Sequence, residues 1–230
     1  MIDRTEVFGE LEGEAFERIA PGYFPLAIVR EHEARYRWAG RFVSGKKALD
    51  VGCGTAYGCA ILSQSGAREV TGVDNCLAAL HYGKKFGNTN LVLGNILHLP
   101  FPSSAFDILT CFEVIEHVVD QQALFEEMVR VLKVGGMLIL STPNRNRTSG
   151  KNPYHVRELT LQELTALIAK CRLACTERSG QHWRMRPAIL QRIFGIRRLI
   201  YGIENSAKIF TLLEIIAEPS VYLLVARKEQ

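Results

Sequence analysis

Four side chains that can carry acid–base or metal chemistry occur in two short stretches of the sequence. Glu113, Glu116 and His117 stand at positions i, i+3 and i+4, and His155 follows in the segment NPYHVRELT. A helix that began at Glu113 would place the first three side chains on one face. The spacing therefore predicts that chemistry is concentrated around these residues.

Three interpretations of this group remain open at the level of sequence. A neutral histidine, His117 or His155, can act as a general base near neutral pH. Two carboxylates and two histidines can instead bind a divalent metal ion that makes a hydroxyl group more acidic. Finally, the charged residues can simply cap a helix N-terminus, where negative charge is favourable.

A glycine-rich turn marks a second candidate site in the segment ALDVGCGTAYG, residues 48–58. Asp50 stands near the end of a predicted strand, and Gly52 and Gly54 permit a close backbone approach that side chains would block. Asp74 follows Gly54 by twenty residues and closes the next predicted strand. An acid at this position is placed to accept hydrogen bonds from ribose hydroxyls.

The same turn distinguishes two classes of ligand. A dinucleotide-binding oxidoreductase requires the pattern G-x-G-x-x-G, but Tyr57 stands where its third glycine would fall. Asp50 also places a negative charge beside the turn, which suits a cationic ligand with an amino group better than a diphosphate. A dinucleotide-binding oxidoreductase is therefore the less favoured alternative.

The elements that must position these residues alternate between short β-rich runs and longer helical patterns, which predicts an α/β fold with a mostly parallel sheet. The predicted strands are Lys47–Val51, Glu69–Val73, Asn90–Leu93, Phe106–Cys111, Met137–Ser141 and Val221–Ala226. The predicted helices are Ile28–Phe42, Ala56–Gln64, Ala78–Phe86, Gln121–Lys133 and Leu161–Cys171, the last with Thr160 as its cap and Glu163 three residues on.

The composition agrees with a single globular domain over residues 1–230, with 47% apolar and 23% charged residues. Residues 1–45 are expected to form an N-terminal helical cap, and residues 180–216 a basic amphipathic insertion before the last strand. Within that insertion, residues 184–208 carry six basic side chains against the single acid Glu204. This stretch is either an ordinary surface helix or a docking surface for an anionic or membrane-associated substrate.

The cellular location is expected to be the cytoplasm. The N-terminal segment lacks the apolar region of a secretory signal, and no stretch of about 18 uncharged apolar residues occurs. The six cysteines include no C-x-x-C pair and are expected to be reduced core residues.

Several motifs together resemble those of class I S-adenosylmethionine-dependent methyltransferases, including the O-methyltransferases of bacterial glycan, secondary-metabolite and ubiquinone pathways. In chain order the motifs are LDVGCGTAYG, VTGVDNC, GNILHLPFPSSAFDILTCFEVIEHV and RVLKVGGMLILSTPN, within residues 28–175. The resemblance implies a Rossmann-like sheet of seven strands, mostly parallel with an antiparallel last strand, and helices on both faces. It also implies S-adenosyl-L-methionine as the cofactor.

The resemblance further implies a role for each of the matching positions in holding this cofactor. The methionine end would be lined by Asp50, Gly52 and Gly54, the ribose held by Asp74, the adenine contacted by Asn95 with Ile96, and the sulfonium bordered by Phe112 and Glu113. Loop capping is the competing explanation for Asp74 and Asn95. Arg35, in the predicted cap helix, would be able to pair with the cofactor's carboxylate.

The function expected from this resemblance is methyl transfer to a hydroxyl group of a small molecule or glycan, with His117 and His155 as catalytic residues. An alternative is metal-assisted methylation of an RNA ribose 2′-hydroxyl, because E-x-x-E-H with a later histidine resembles the small-RNA 3′-terminal ribose methyltransferases.

Overall fold

Seven strands form one sheet in the part of the chain that the computed structural model describes, residues 18–22, 24–87, 89–181 and 219–230. The strands are β1 Lys47–Val51, β2 Glu69–Asp74, β3 Asn90–Leu93, β4 Phe106–Phe112, β5 Leu132–Pro143, β6 Leu173–Gln181 and β7 Val221–Lys228. Their order across the sheet is β3-β2-β1-β4-β5-β7-β6. The first five strands pair in parallel, whereas β7 is antiparallel to both β5 and β6. The predicted fold class is confirmed.

Helices pack on both faces of this sheet. The α-helices are α1 Leu26–Ala39, α2 Tyr57–Gln64, α3 Leu77–Gly83, α4 Gln121–Val131 and α5 Leu161–Lys170. Short 3₁₀ helices occupy Gly40–Phe42, Lys84–Phe86 and Ile115–His117.

Alternate residues along each central strand enter two separate cores. Leu109 of β4 packs in a cluster with Phe125 of α4 and Ile168 of α5. Its neighbour Ile108 packs in the other cluster with Trp38 of α1 and Leu62 of α2. Because successive side chains of a strand point to opposite faces, a strand that is buried on both faces is apolar throughout its length. Burial on both faces explains why the sequence predicts the central strands well.

The strand order reverses between β1 and β4. β1 pairs with β2 on one side and with β4 on the other, so the connections that follow these two strands diverge. In open α/β sheets a crevice forms at this point, beyond the carboxyl ends of the strands. Both sets of residues singled out from the sequence lie after strands that end there.

The structure differs from the sequence-based expectation in the second half of the sheet. β5 begins at Leu132 rather than Met137, and α4 accordingly ends at Val131. The sequence analysis did not predict β6, whose sequence LACTERSGQ carries polar residues along most of its length. Its only partner among the described strands is β7, and polar residues are tolerated on such an edge strand because one side and part of its face are solvated.

Parts of two predicted segments lie outside the described residues. They include residues 1–17 of the expected cap and residues 182–216 of the expected insertion, and so the whole basic stretch 184–208. Gly180 and Gln181, the first residues of the expected insertion, belong to β6. Within the described ranges, no helix has both the length and the apolar character needed to cross a membrane.

The N-terminus of α5 carries the capping box that the sequence predicts. The Thr160 hydroxyl accepts a hydrogen bond from the Glu163 backbone N–H at 3.2 Å, and the Glu163 carboxylate accepts one from the Thr160 N–H at 2.8 Å. The interaction satisfies two backbone donors that the helix itself leaves unpaired. The pKa of Glu163 is lowered to about 2, chiefly because the Thr160 N–H and the Thr160 hydroxyl both donate to its carboxylate.

We expect Thr160→Ala to lower the free energy of unfolding by about 1 kcal/mol, because the helix loses its cap. Thr160→Ser retains the hydroxyl and is expected to stay close to the wild type. Gln162→Ala, at an exposed position on the first turn of the same helix, is the matched control. Urea denaturation measures all three variants, and an alanine variant as stable as the wild type would show that the box contributes nothing.

Candidate active site

A cavity of about 980 Å³ opens at the carboxyl ends of β1, β2 and β4. Its wall includes residues from each of the sequence-predicted groups: Gly52, Gly54, Asp74, Asn95, Ile96, Phe112, Glu113 and His117. The glycine-rich turn and the first of the two histidines therefore face one common space. Cavities of this size accommodate small-molecule ligands and cofactors.

The turn after β1 requires glycine at two positions. Gly52 and Gly54 have φ angles of +71° and +52°, in the left-handed region that residues with a side chain rarely adopt. A Cβ atom on Gly52 would lie 2.5 Å from a methyl carbon of Val114, so no side chain fits there. The backbone N–H groups of Gly52 and Cys53 both donate to the Val73 carbonyl, which ties the turn to the end of β2.

Asp74 lies in the cavity wall with most of its acceptor capacity in use. Its Oδ2 accepts from the Gly54 N–H at 2.8 Å, and its Oδ1 accepts from the Cys76 N–H at 2.9 Å and from Arg18 Nε at 3.0 Å. A carboxylate offers about four acceptor positions, so one remains for a further donor. The sequence analysis did not single out Arg18, because the contact joins residues 56 positions apart.

Asn95 and Ile96 line the same cavity beyond the end of β3. The side-chain oxygen of Asn95 accepts a hydrogen bond from the Leu97 N–H at 2.9 Å. Loop capping, the competing explanation for Asp74 and Asn95, is thus observed at both residues. It does not remove either residue from the cavity wall.

Asp50 does not line the cavity, and this position differs from the sequence-based expectation. The residue is fully buried beneath the turn. Its Oδ1 accepts from the Thr110 hydroxyl at 2.6 Å, and its Oδ2 accepts from the Tyr36 hydroxyl at 3.0 Å and the Cys59 thiol at 3.5 Å. Burial raises the pKa of Asp50 to about 6, although these three hydrogen bonds act in the opposite direction. Asp50 therefore supports the turn through its hydrogen bonds and does not contact the cavity.

Glu113 lies in the cavity wall directly after the end of β4. Its backbone φ is +55°, a left-handed conformation that turns the chain sharply after β4. Its Oε1 accepts from the Ser141 hydroxyl at 2.7 Å and lies 3.6 Å from Nη1 of Arg35. The preceding residue, Phe112, contacts the ring of Tyr36 edge-on with the ring centroids 4.9 Å apart.

Arg35 is a buried cation behind this wall. Its guanidinium donates to the Gln181 side chain at 2.8 Å, and its Nη2 has no hydrogen-bond partner. Nη1 lies 3.3 Å from Nδ1 of His32. Because arginine can only donate, the His32 nitrogen is the acceptor. Burial and the nearby Arg35 charge lower the pKa of His32 to about 2, so this histidine, which also lines the cavity, is neutral.

Glu116 points away from solvent, in contrast to an exposed helix cap. It has no exposed surface, and its Oε2 accepts from the Thr142 hydroxyl at 3.0 Å. Its Oε1 is buried without a hydrogen-bond partner. Burial, together with the neighbouring charge of Glu113, raises the pKa of Glu116 well above its usual range.

His117 and His155 lie against each other, with their ring centroids 5.0 Å apart and the rings nearly perpendicular. Nδ1 of His117 lies 3.0 Å from the Tyr154 carbonyl oxygen, and Nδ1 of His155 lies 2.6 Å from the Glu158 carboxylate. Since the carbonyl and an ionised carboxylate can only accept, each Nδ1 carries the proton when the ring is neutral. Each lone pair is then on Nε2. Glu158 was missed in the sequence analysis, although its position three residues after His155 was the available signal.

One ligand atom each from Glu116, His117 and His155 lies within 4.8 Å of the other two. Glu113 is not part of this group, because its carboxylate is turned toward Ser141 and Arg35. The expectation that Glu113, Glu116 and His117 share one helix face is wrong. The helix here is a 3₁₀ turn of three residues, and Glu113 precedes it in a left-handed conformation.

Comparisons with known proteins agree with this geometry. Residues 49–140 match the family described as Methyltransferase domain. A probable S-adenosylmethionine-dependent methyltransferase of Mycolicibacterium smegmatis is 37% identical over 145 residues, which are 60% of this chain and 56% of that protein. These matches support a class I S-adenosylmethionine-dependent methyltransferase.

Two further matches show how far the similarity extends. A demethylmenaquinone methyltransferase of Listeria welshimeri is 32% identical over 148 residues, covering 58% of this chain and 63% of that protein. A solved complex of the Haloferax volcanii Trm112 methyltransferase activator with a methyltransferase matches the fold. Its TM-score is 0.68 at 15% identity, over 89% of this chain and 92% of the other. The chain thus spans just over half the length of the first-named curated relative.

S-adenosylmethionine is the cofactor of this family, and the residues present fit it. The turn at Gly52–Gly54 brings backbone rather than side chains to the cavity, and Asp74 keeps an acceptor position for a ribose hydroxyl. Asn95 and Ile96 would hold the adenine, and Glu113 would face the positive end of the molecule with Phe112. The unpartnered Nη2 of Arg35 is a buried donor for which an acceptor is missing.

We expect Asp50 to make the stability of this methyltransferase depend on pH. Between pH 3.8, its ordinary pKa, and about 6, the folded protein holds a proton that the unfolded chain has lost. The contribution of Asp50 to the free energy of unfolding therefore falls as the pH rises through this interval, by up to about 3 kcal/mol. The difference in unfolding free energy between wild type and Asp50→Asn, measured in urea, should fall over the same interval. Parallel pH profiles would contradict this assignment.

Proposed function

We propose that the chain transfers a methyl group from S-adenosylmethionine to a hydroxyl oxygen of a small acceptor molecule that lies against His117 and His155. The observation that carries this proposal is the orientation of the two histidines. Both Nδ1 atoms face hydrogen-bond acceptors, and the two rings lie with their centroids 5.0 Å apart. His117 lines the cavity that also contains the glycine-rich turn.

Methyl transfer to oxygen needs alignment and removal of one proton. When bound, S-adenosylmethionine supplies an activated methyl group on a sulfonium centre. The acceptor exchanges an O–H bond for an O–C bond, so a proton must leave the oxygen. Residues of this chain have two tasks: to hold the oxygen in line with the methyl carbon and to promote the loss of that proton.

The histidine pair serves the second task. His155 is backed by Glu158, which itself accepts from the Thr148 hydroxyl, so the ring is held in one orientation. His117 is held by the Tyr154 carbonyl. The two fixed rings promote loss of the acceptor's proton, either as proton acceptors themselves or through a group that they bind. Both possibilities make the two histidines necessary for turnover.

The acceptor side of the cavity is largely apolar. Val119, Tyr154 and Val156 line it, with 85%, 41% and 55% of their surfaces exposed. Exposed apolar side chains around a reactive centre favour a substrate that carries an apolar body beside its hydroxyl group. Within the expected substrates, this environment favours a small molecule over a glycan.

The charges in the cavity argue against RNA as the acceptor. Among the described residues of the cavity wall, Asp74 and Glu113 carry negative charges and Arg18 carries a positive charge. RNA binding depends on neutralisation of phosphates by basic side chains, which this wall does not favour.

The dinucleotide oxidoreductase is disfavoured by Tyr57 and by the match to the methyltransferase family. The proposed location remains the cytoplasm, on the grounds of the cysteine pattern.

A direct test uses S-adenosylmethionine labelled in its methyl group. The purified chain is incubated with the labelled donor and fractions of a cell extract, and products are resolved by mass. The proposal expects label in a small molecule, in a linkage that has the stability of a methyl ether. Label only in RNA, or on carbon or nitrogen, would contradict the proposed acceptor while leaving the cofactor in place.

Asp74→Ala is expected to weaken binding of S-adenosylhomocysteine at least tenfold, about 1.4 kcal/mol, because the ribose loses its carboxylate. Isothermal titration calorimetry measures the dissociation constant. Asp74→Asn keeps one carbonyl acceptor and should lose less affinity. Urea denaturation confirms that both variants are folded, and an unchanged affinity in folded Asp74→Ala would remove Asp74 from the binding site.

His117→Ala and His155→Ala are expected to reduce kcat by about 10²- to 10⁴-fold, the range found when a group that moves a proton is removed. The dissociation constant of S-adenosylhomocysteine should stay within about threefold of the wild type, since neither ring is assigned a cofactor contact. His81→Ala, at an exposed position on α3, is the matched control. Full turnover in both variants would contradict the catalytic role.

A further inference from the structure

We propose that Arg18 is a positioning residue of the cofactor site, which holds the Asp74 carboxylate and the Asn75 amide in the orientation that binds the ribose hydroxyls. The proposal also makes Asn75 a second ribose contact beside Asp74. It rests on S-adenosylmethionine as the cofactor and on the assignment of the ribose to Asp74, and it is independent of the acceptor. All three residues line the cavity.

The guanidinium of Arg18 joins the last residue of β2 to the residue that follows it. Its Nε donates to Oδ1 of Asp74 at 3.0 Å, and its Nη2 donates to the side-chain oxygen of Asn75 at 2.6 Å. Arginine presents its N–H donors in a rigid planar fork, so two acceptors bound to one guanidinium are fixed relative to each other. Arg18 therefore couples the orientation of the carboxylate to that of the amide.

The contact with Arg18 decides which oxygen of Asp74 remains open. Oδ1 accepts from both the Cys76 N–H and Arg18, whereas Oδ2 accepts from the Gly54 N–H. Each carboxylate oxygen has about two acceptor positions, so the position that remains is on Oδ2. Asp74 is only 4% exposed and lines the cavity, and a hydroxyl group of a ligand in the cavity can donate to this position.

The same guanidinium fixes the amide of Asn75. Because arginine can only donate, the atom that faces Arg18 is the amide oxygen, and the two N–H donors of Nδ2 lie on the other side of the amide group. Within the described part of the chain, Nδ2 has no hydrogen-bond partner. Its donors are therefore available to a ligand at the cavity wall.

Together the two side chains offer an acceptor and a donor on neighbouring residues. A ribose carries two vicinal hydroxyl groups, each of which can donate one hydrogen bond and accept others. One hydroxyl can donate to Oδ2 of Asp74 while the oxygen of the other accepts from Nδ2 of Asn75. A nucleoside without one of these hydroxyls leaves a polar group of the pair without its partner, which lowers its affinity.

Arg18 is held in place by the segment that follows it. The Thr55 hydroxyl donates to the Ile19 carbonyl at 2.6 Å, and the Tyr82 hydroxyl donates to the Pro21 carbonyl at 2.7 Å. The Arg18 side chain is only 20% exposed. Its contacts are therefore better defined than those of an exposed surface ion pair, whose two long side chains move in solvent.

The test measures binding of S-adenosylhomocysteine by isothermal titration calorimetry. Arg18→Ala should weaken binding about 3- to 10-fold, because the ligand must then order the Asp74 and Asn75 side chains itself. Asn75→Ala should weaken binding about 2- to 10-fold, the range for one lost hydrogen bond. Arg18→Lys keeps the charge but not the planar fork, so its affinity should lie between those of Arg18→Ala and the wild type.

A double-mutant cycle separates positioning from other roles of Arg18. In a chain that already carries Asp74→Ala and Asn75→Ala, Arg18→Ala should change the dissociation constant by less than about twofold, since nothing remains for Arg18 to position. Arg37→Ala is the matched control, because this exposed arginine pairs with Glu33 at 2.8 Å and should bind like the wild type. Urea denaturation confirms folding, and Arg18→Lys carries the cycle if the alanine variant is unfolded.

Three results would overturn the proposal. They are unchanged binding by folded Arg18→Ala, an equal loss in both backgrounds, and tighter binding by Arg18→Ala, which would show that Arg18 competes with the ribose. Unchanged affinity in Asp74→Ala would remove the ribose assignment and this proposal together. None of these measurements uses an acceptor, so a failure to find methyl transfer to a hydroxyl group refutes the proposed function alone.

Discussion

The structure of the cofactor end depends on one buried carboxylate, that of Asp50. Its hydrogen bonds come from Tyr36 on α1, Cys59 on α2 and Thr110 on β4, so a single side chain joins three elements around the glycine-rich turn. A buried carboxylate without such donors would be strongly destabilising. The three elements must therefore keep their positions for the charge to be tolerated, and the turn above them is held in place as a consequence.

Arg35 has a comparable role next to Glu113. It is the largest fully buried polar side chain described, and it joins α1 to Gln181 at the end of β6 and to Glu113 after β4. Its charge also partly offsets the two neighbouring acids, Glu113 and Glu116, and it is one cause that favours the ionised form of Glu116. The predicted cap helix is thus part of the site's electrostatics and not only a cover. Neutral His32 beside it avoids a second, repelling cation.

Features that depend on local sequence were predictable, whereas those that depend on distant partners were not. Gly52 and Gly54 predict a turn because of their residue type. Thr160 and Glu163, three residues apart, predict the N-terminus of a helix. The local sequence does not predict the burial of Asp50, because its partner Thr110 lies 60 residues away. The separation of Glu113 from Glu116 was hidden because a helical spacing was assumed where the chain turns through a left-handed residue. β6 was hidden because a polar edge strand lacks the apolar pattern of the central strands.

Backbone geometry shapes one half of the cavity, around the turn after β1, and side chains shape the other half, after β4 and β5. Backbone geometry shapes the cofactor half: the turn after β1, its hydrogen bonds to the end of β2, and the two glycines without side chains. Side chains on the segments after β4 and β5 shape the other half, where Val119, Tyr154 and Val156 line the cavity together with His117. Loop side chains can change without disturbing the sheet, whereas the turn cannot. Proteins that share the half formed by the turn can therefore differ in the side chains of the other half.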